Sequence, residues 1–183
     1  KNNSYEISKL LVWLFLQENK FQNALEYEIS IHKRIAQNQL DIISLGDIAF
    51  KNKDYETAKN AFEYILDESH ENSYYYEYSS IRMLDIKFDF LANEKIKNIE
   101  EMKDLALEYQ LTLEMLGVKT ETIFTLKNYC AILATYLNNS QKAIQILQKT
   151  IKNELLDPYD IAICKMELAK IFVQAGNVWE ATL

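Results

Sequence analysis

The fold is decided by a short phrase that recurs along the chain. Residues 19–27 read NKFQNALEY and residues 53–61 read KDYETAKNA, so an aromatic residue, two polar residues and an alanine return after 34 residues. Related phrases are NNSQKA at 138–143 and GNVWEA at 176–181. The alanine allows two antiparallel helices to approach closely, the aromatic residue fills the gap near their turn, and the polar residues start the second helix. The repetition predicts a series of helix hairpins.

The composition of the 183 residues supports an all-helical fold. Three Gly and one Pro are too few to build the turns of a β-sandwich, a β-barrel or a phosphate-binding loop. Hydrophobic residues make up 49% and charged residues 26%, which is typical of a folded chain rather than a disordered one. The longest apolar run, residues 10–16, is far shorter than the ~20 residues that a membrane span needs. We therefore expect a folded chain without membrane insertion.

Residue types at helix ends predict where the helices begin and end. The order of Asp157, Pro158 and Asp160 is that of an N-cap, a first-turn proline and a first-turn acid. Other residues placed to open helices are Asp54, Thr120 and Ser140, and those placed to end them are Gly117 and Gly176. We expect nine complete helices, with a tenth beginning at Val178.

Between the second and third phrases lies an amphipathic stripe. Its apolar residues follow one another by three or four positions, which is the spacing of one helix face, and they span 18 residues: Ile99, Met102, Ala106, Tyr109, Leu113 and Leu116. The stripe predicts one helix over residues 99–116 whose apolar face is core.

The repeated phrase resembles the tetratricopeptide repeat, a helix-turn-helix unit. The fullest match is in the second unit, residues 40–70, and comprises Leu45-Gly46, Ala49, Asp54-Tyr55, Ala58, Phe62 and Ile65. Unit one departs from the pattern, because Val12 takes the small position and Glu28 the aromatic position of its second helix. The resemblance implies an α-α superhelix, a right-handed solenoid of helix hairpins, over residues 1–183. Its units are 4–36, 40–70, a lengthened and irregular 74–116, 120–152 and a truncated 157–183.

A looser resemblance concerns the stretch from Leu10 to Tyr64 and the closing residues 166–169 and 179–183. Both are similar to the C-terminal part of large exported repeat proteins of Bacteroidota. This implies a fragment of a larger bacterial protein of the cell envelope or periplasm, with the cytoplasm as the alternative. On this view unit five lacks its second helix, and we expect its apolar residues to be exposed or covered by self-association: Ile161, Leu168, Ile171 and Phe172.

Charge and motif content argue against several functions. Acidic residues outnumber basic ones 27 to 20, and the basic residues are nearly all Lys, so nucleic acid is a poor partner. Asp67, His70 and Glu71 form only a loose metal arrangement, and a solvated helix end explains them better. No catalytic or cofactor motif occurs in the sequence. We expect no enzyme, cofactor or metal. Cys130 and Cys164 are two buried thiols or a disulfide.

The resemblance implies that the first helices of the units form a concave groove for a protein or peptide partner. Two alternatives are a peptide or small-ligand sensor and an adaptor domain of a helical enzyme. Only one element of the family's clamp for a partner's carboxylates is present, Lys9. The tyrosine run at 74–78 is either an interface or packing. The expected groove residues are Lys9, Trp13, Leu16 and Gln17 in unit one, Ile43, Asp47, Phe50 and Lys51 in unit two, Tyr74, Glu77 and Ile81 in unit three, Asn128, Ile132 and Tyr136 in unit four, and Met166, Lys170 and Val173 in unit five.

Overall fold

The computed structural model describes residues 2–35, 39–177 and 181. Within these residues there are nine α-helices, one short 3-10 helix (Thr120–Thr122) and no β-strand, which confirms the all-α prediction. The predicted tenth helix at Val178 lies outside the described residues, apart from Ala181. The helices are α1 (Asn2–Gln17), α2 (Phe21–Ile35), α3 (Leu40–Lys51), α4 (Tyr55–Glu68), α5 (Tyr74–Asn93), α6 (Ile99–Leu116), α7 (Ile123–Thr135), α8 (Ser140–Ile151) and α9 (Pro158–Gln174).

The chain divides into two compact units, residues 1–86 and 87–183. In the first, α1 pairs with α2 and α3 with α4, and α2 also packs on both α3 and α4. In the second, α7 packs on α6, α8 and α9, and α8 packs on α9. The five repeat units predicted from the sequence stay a prediction.

Three alanines of the repeated phrase are buried on the second helices of the pairs α1–α2, α3–α4 and α7–α8. Ala24, Ala58 and Ala143 have no exposed surface, which confirms their predicted place, whereas Ala181 is half-buried. In the second hairpin the helix approach also depends on Gly46. A Cβ atom there would lie 2.9 Å from Cζ of Phe62 and 3.1 Å from Cβ of Ala61. A side chain at position 46 would therefore force the ring of Phe62 or one of the two helices to shift.

The turn at the start of each phrase has a left-handed residue, Asn19, Lys53, Asn138 or Gly176, with φ between 50° and 80°. At Asn19, Lys53 and Gly176 the N–H bonds to the carbonyl three residues back, and the next N–H bonds to the carbonyl five back. This pair of bonds is the Schellman motif, which satisfies the last carbonyls of a helix. In the first three phrases a helix stop is therefore followed, after three or four intervening residues, by a new helix.

Capping side chains start the next helix directly after these turns. The carboxylate of Asp54 accepts from the N–H of Thr57, and Asn139 accepts from Lys142. Asp157 accepts from Asp160 with Pro158 in the first turn, as predicted. At α8 the cap oxygen belongs to Asn139, one residue before the predicted Ser140. The predicted helix over 99–116 is confirmed as α6, with Met102, Ala106 and Tyr109 buried.

Lys53→Gly should stabilise the first unit by roughly 0.5–1 kcal/mol, because a side chain at positive φ is strained and Gly is not. Lys51→Gly is the matched control. Lys51 lies in the last turn of α3, so the same chemical change there should destabilise by about as much. Urea denaturation of both variants measures the effect. Destabilisation of equal size at both positions would contradict the role given to the left-handed turn.

Candidate functional site

A narrow cleft lies between α1 and α3 of the first unit, with α2 beneath it. Its volume is about 210 Å³. Small-molecule sites are usually larger, about 300–1,000 Å³, so the cleft suits one or two side chains of a partner. Its lining residues are Lys9, Val12, Trp13 and Leu16 from α1, Glu28 from α2, and Asp41, Ser44, Leu45 and Ile48 from α3.

The cleft contains a buried charge. The side chain of Glu28 is only 4% exposed, and its Oε1 lies 2.5 Å from Nζ of Lys9. The same ammonium lies 2.9 Å from Oδ2 of Asp41, whose side chain is 49% exposed. Burial alone would lower the pKa of Lys9, but its hydrogen bonds to Glu28 and Asp41 outweigh this and raise the pKa. Lys9 therefore stays protonated and joins α1 to α2 and α3.

The rest of the cleft is apolar and partly open to solvent. Trp13 is 55% exposed and Ile48 38% exposed, while Leu16 is half-buried and Val12 is buried. A large aromatic ring beside a small apolar cleft can bury its surface only against another molecule or a moving segment. This part of α1 is thus suited to hold an apolar side chain.

A second cluster joins α3 to α5 within the first unit. The guanidinium of Arg82 bonds to Asp47 at 2.8 Å and to Asp85 at 2.9 Å, and it lies 4.6 Å from the ring centre of Phe50. The hydroxyl of Tyr78 donates to Asp47 at 2.7 Å. Burial and this hydrogen bond raise the pKa of Tyr78. Each of these groups has a partner inside the protein, so the cluster acts in packing.

The structure does not bring the predicted groove residues of the first unit together in one place. Lys9, Trp13 and Leu16 come together in the cleft. Asp47 and Phe50 belong instead to the Arg82 cluster, whereas Gln17, Lys51 and Tyr74 are exposed and Glu77 and Ile81 are half-buried. Ile43 is a correction: it is 5% exposed, because it lies on the face of α3 that packs into the core.

The second unit divides its predicted residues in a similar way. Met166, Lys170 and Val173 are exposed along α9, and Asn128 and Tyr136 are half-buried. Ile132 is a correction, because it is fully buried where α7 packs on its neighbours. Ile171 was expected to be exposed and is buried, since α9 packs on both α7 and α8. Ile161, Leu168 and Phe172 are half-buried.

Another cleft of about 340 Å³ lies between α8 and α9. Leu168 and Phe172 line it, together with Ile151 and Ala181. No groove residue predicted from the sequence contributes to its lining.

Sequence reasoning missed Asp41, Ser44 and Ile48, which form the α3 side of the first cleft. The family's offsets selected other residues of α3 instead, of which Asp47 and Phe50 contact Arg82. The missed signal was Glu28, because a carboxylate at a core position requires a cation close to it. Lys9 had been placed on the groove side of α1, but its bond to Glu28 depends on how α1 packs on α2.

His32, Cys130 and Cys164, three further groups that could carry chemistry, lie partly or fully inside the protein, whereas His70 is exposed. His32 Nδ1 lies 3.1 Å from the hydroxyl of Tyr64. Cys130 and Cys164 are free thiols, and burial raises the pKa of both, that of Cys164 to about 11, which makes them poor nucleophiles. Among these residues no three His, Cys, Asp or Glu side chains are grouped as a metal site requires. None of the described helices is long and apolar enough to cross a membrane.

Lys9→Met should destabilise the first unit by about 1–3 kcal/mol, because it leaves the buried Glu28 without its cation. Lys20→Met is the matched control, since Lys20 pairs with Glu18 on the surface, where an ion pair contributes about 0–1 kcal/mol. Chemical denaturation at neutral pH compares the two variants. Equal small losses would mean that Glu28 is hydrated rather than paired.

Alkaline pH should destabilise the first unit through Tyr78. Its pKa is raised in the folded chain, so above about pH 10 the unfolded chain loses the phenol proton first, and stability falls as pH rises. Tyr78→Phe should reduce the loss of unfolding free energy between about pH 8 and 11 by about 1 kcal/mol or less. Tyr159→Phe, at an exposed tyrosine, should leave the loss as in the wild type. A steeper loss for Tyr78→Phe would contradict this assignment.

Comparisons with known proteins identify the fold but not a family. No protein-family model matches the chain, and no curated protein matches it. Among solved structures the chain is similar to BtubC (BKLC) from P. vanneervenii, with 16% identity and a TM-score of 0.60. The alignment covers 97% of this chain and 75% of that protein.

A tetratricopeptide repeat protein from Parabacteroides merdae ATCC 43184 is similar over 97% of this chain, with 12% identity and a TM-score of 0.57. The chain spans 61% of the length of that protein. At such low identity the likeness concerns the fold alone. Together with the nine described helices and their close pairs, it shows that this chain has the all-α helical-repeat fold of tetratricopeptide repeat proteins.

Proposed function

We propose that the chain is a non-enzymatic interaction module that binds a peptide segment of a protein partner. The observation that supports this best is Trp13, a large exposed aromatic ring on the wall of the α1–α3 cleft. Exposed tryptophans beside a small pocket are typical of the residues that carry most of the energy of a protein interface. The cleft would take an apolar side chain of the partner, and Trp13 would cover it.

The size of the cleft favours a peptide over a free small molecule. Its volume of about 210 Å³ accommodates a side chain but is small for a free ligand. Leu16 and Ile48 would contact the inserted side chain. Gln17 and Lys51 are exposed at the ends of α1 and α3 and would contact the neighbouring residues of the peptide.

The proposal extends beyond the cleft to the rest of the helical-repeat fold. Such folds commonly present successive first helices to a partner, and the exposed Tyr74, Met166 and Lys170 are the further contact residues that we propose. We also propose that the chain is part of a larger scaffold of a bacterial envelope, in which self-association and partner binding use different surfaces. Ile43 and Ile132 take no part in contact because they are buried.

Trp13→Ala should weaken peptide binding at least about tenfold while leaving the helix content unchanged, because the ring is exposed in the free chain. Peptides are first selected on the wild-type chain from a random displayed library, and the strongest is titrated by fluorescence polarisation. Circular dichroism of the variant verifies its helicity.

Leu10→Ala is the matched control, since Leu10 lies on the same helix and is 56% exposed but does not line the cleft. It should change the affinity by less than about twofold. Recovery of no binding peptide, or an equal effect of both substitutions, would overturn the proposed function.

A further inference from the structure

Resting on the proposed function, we infer that the α1–α3 cleft selects peptide segments in which a basic side chain lies next to an apolar one. The lining of the cleft carries this inference. Its apolar part is Trp13, Leu16 and Ile48, and its charged part is Lys9, Glu28 and Asp41. The two parts lie in one small cleft, so one short segment would occupy both.

The charges of the cleft do not cancel. One ammonium, that of Lys9, lies between two carboxylates, those of Glu28 and Asp41. Glu28 is buried and bonds to the ammonium from inside the protein. The side chain of Asp41, in contrast, is half exposed to solvent. One negative charge is left over, and Asp41 is the group that a partner's cation can reach. A carboxylate accepts several hydrogen bonds at once, so Asp41 can bind such a cation and keep its bond to Lys9.

The aromatic wall favours the same ligand. An Arg or Lys side chain paired with Asp41 would pass along the exposed face of Trp13, where a cation is attracted by the ring electrons. The apolar neighbour of that residue would enter the cleft between Leu16 and Ile48. The long aliphatic stem of the basic residue would also cover part of the tryptophan.

An acidic segment is disfavoured at the same place. The first unit, residues 1–86, contains nine Lys and Arg against 14 Asp and Glu. A carboxylate brought to the rim would meet Asp41 directly, while Lys9 is already bonded to two carboxylates. The surrounding negative field would also slow the approach of an acidic partner and speed that of a basic one.

The test uses the peptides selected on the wild-type chain from the random library. Their sequences should be enriched in Arg or Lys beside Leu, Ile, Phe or Trp. For the strongest peptide, replacing its basic residue by Gln should lower the affinity about three- to tenfold, and raising the ionic strength should reduce the difference. Asp41→Asn in the chain should lower the affinity for the basic peptide by a similar factor. The Gln peptide should bind the Asp41→Asn variant as well as it binds the wild type. The Gln replacement in the peptide and the Asn replacement in the chain each remove the same ion pair, so their effects should not add.

Asp67→Asn is the matched control, since Asp67 is an exposed aspartate of α4 in the same unit and does not line the cleft. It should leave the affinity for both peptides unchanged. Selected peptides without basic residues, or a loss on Asp41→Asn that is equal for the basic and Gln peptides, would overturn this inference. Peptide binding that still depends on Trp13 would then leave the proposed function intact, whereas recovery of no peptide would overturn both.

Discussion

Each of the three hairpin turns, α1–α2, α3–α4 and α7–α8, depends on a left-handed residue after one helix, and only three or four residues separate the two helices. Asn19, Lys53 and Asn138 hold this conformation although they have side chains, and Gly176 holds it without strain. Because the turn is so short, the two helices of a pair start close together, and a small residue is needed where their backbones approach. The buried Ala24, Ala58 and Ala143 are therefore consequences of the turn. At Gly46 the approach is closer still, and even one methyl group would meet the ring of Phe62.

The candidate cleft depends on the packing of the first hairpin. In the first hairpin the core position that holds Phe62 in the second is taken by Glu28, so a carboxylate is buried between helices. Its charge is stable there only because Lys9 reaches it from α1, and Lys9 in turn holds Asp41 of α3. The ion pair that completes the core thus leaves a charged rim beside the exposed Trp13. The three side chains that hold α1, α2 and α3 together are thus also the charged lining of the candidate cleft.

The second hairpin meets the next helix in a different way. Arg82, one of two arginines in the chain, binds Asp47 and lies over Phe50, and Tyr78 donates to the same carboxylate. A planar guanidinium satisfies two carboxylates and covers a ring at once, which an ammonium does not. Asp47 and Phe50, which occupy groove positions by sequence, are consequently used to hold α5. The open surface lies on the neighbouring stripe of α3, with Asp41 and Ile48.

The sequence by itself determined the all-α class, the hairpin turns, the caps at Asp54 and Asp157, and the extent of α6, because these depend on neighbours within one or two helical turns. The resemblance to the tetratricopeptide repeat also implied Lys9, Trp13 and Leu16 as groove residues, and the structure brings these three together in the cleft. The sequence did not indicate that Asp41 and Ile48 line the cleft. It also did not indicate that Ile43 and Ile132 are buried. Those assignments depend on which stripe of each helix its neighbours cover. That choice is made by long-range pairs such as Lys9 with Glu28 and Arg82 with Asp47, whose partners lie 19 and 35 residues apart and meet only in the tertiary structure.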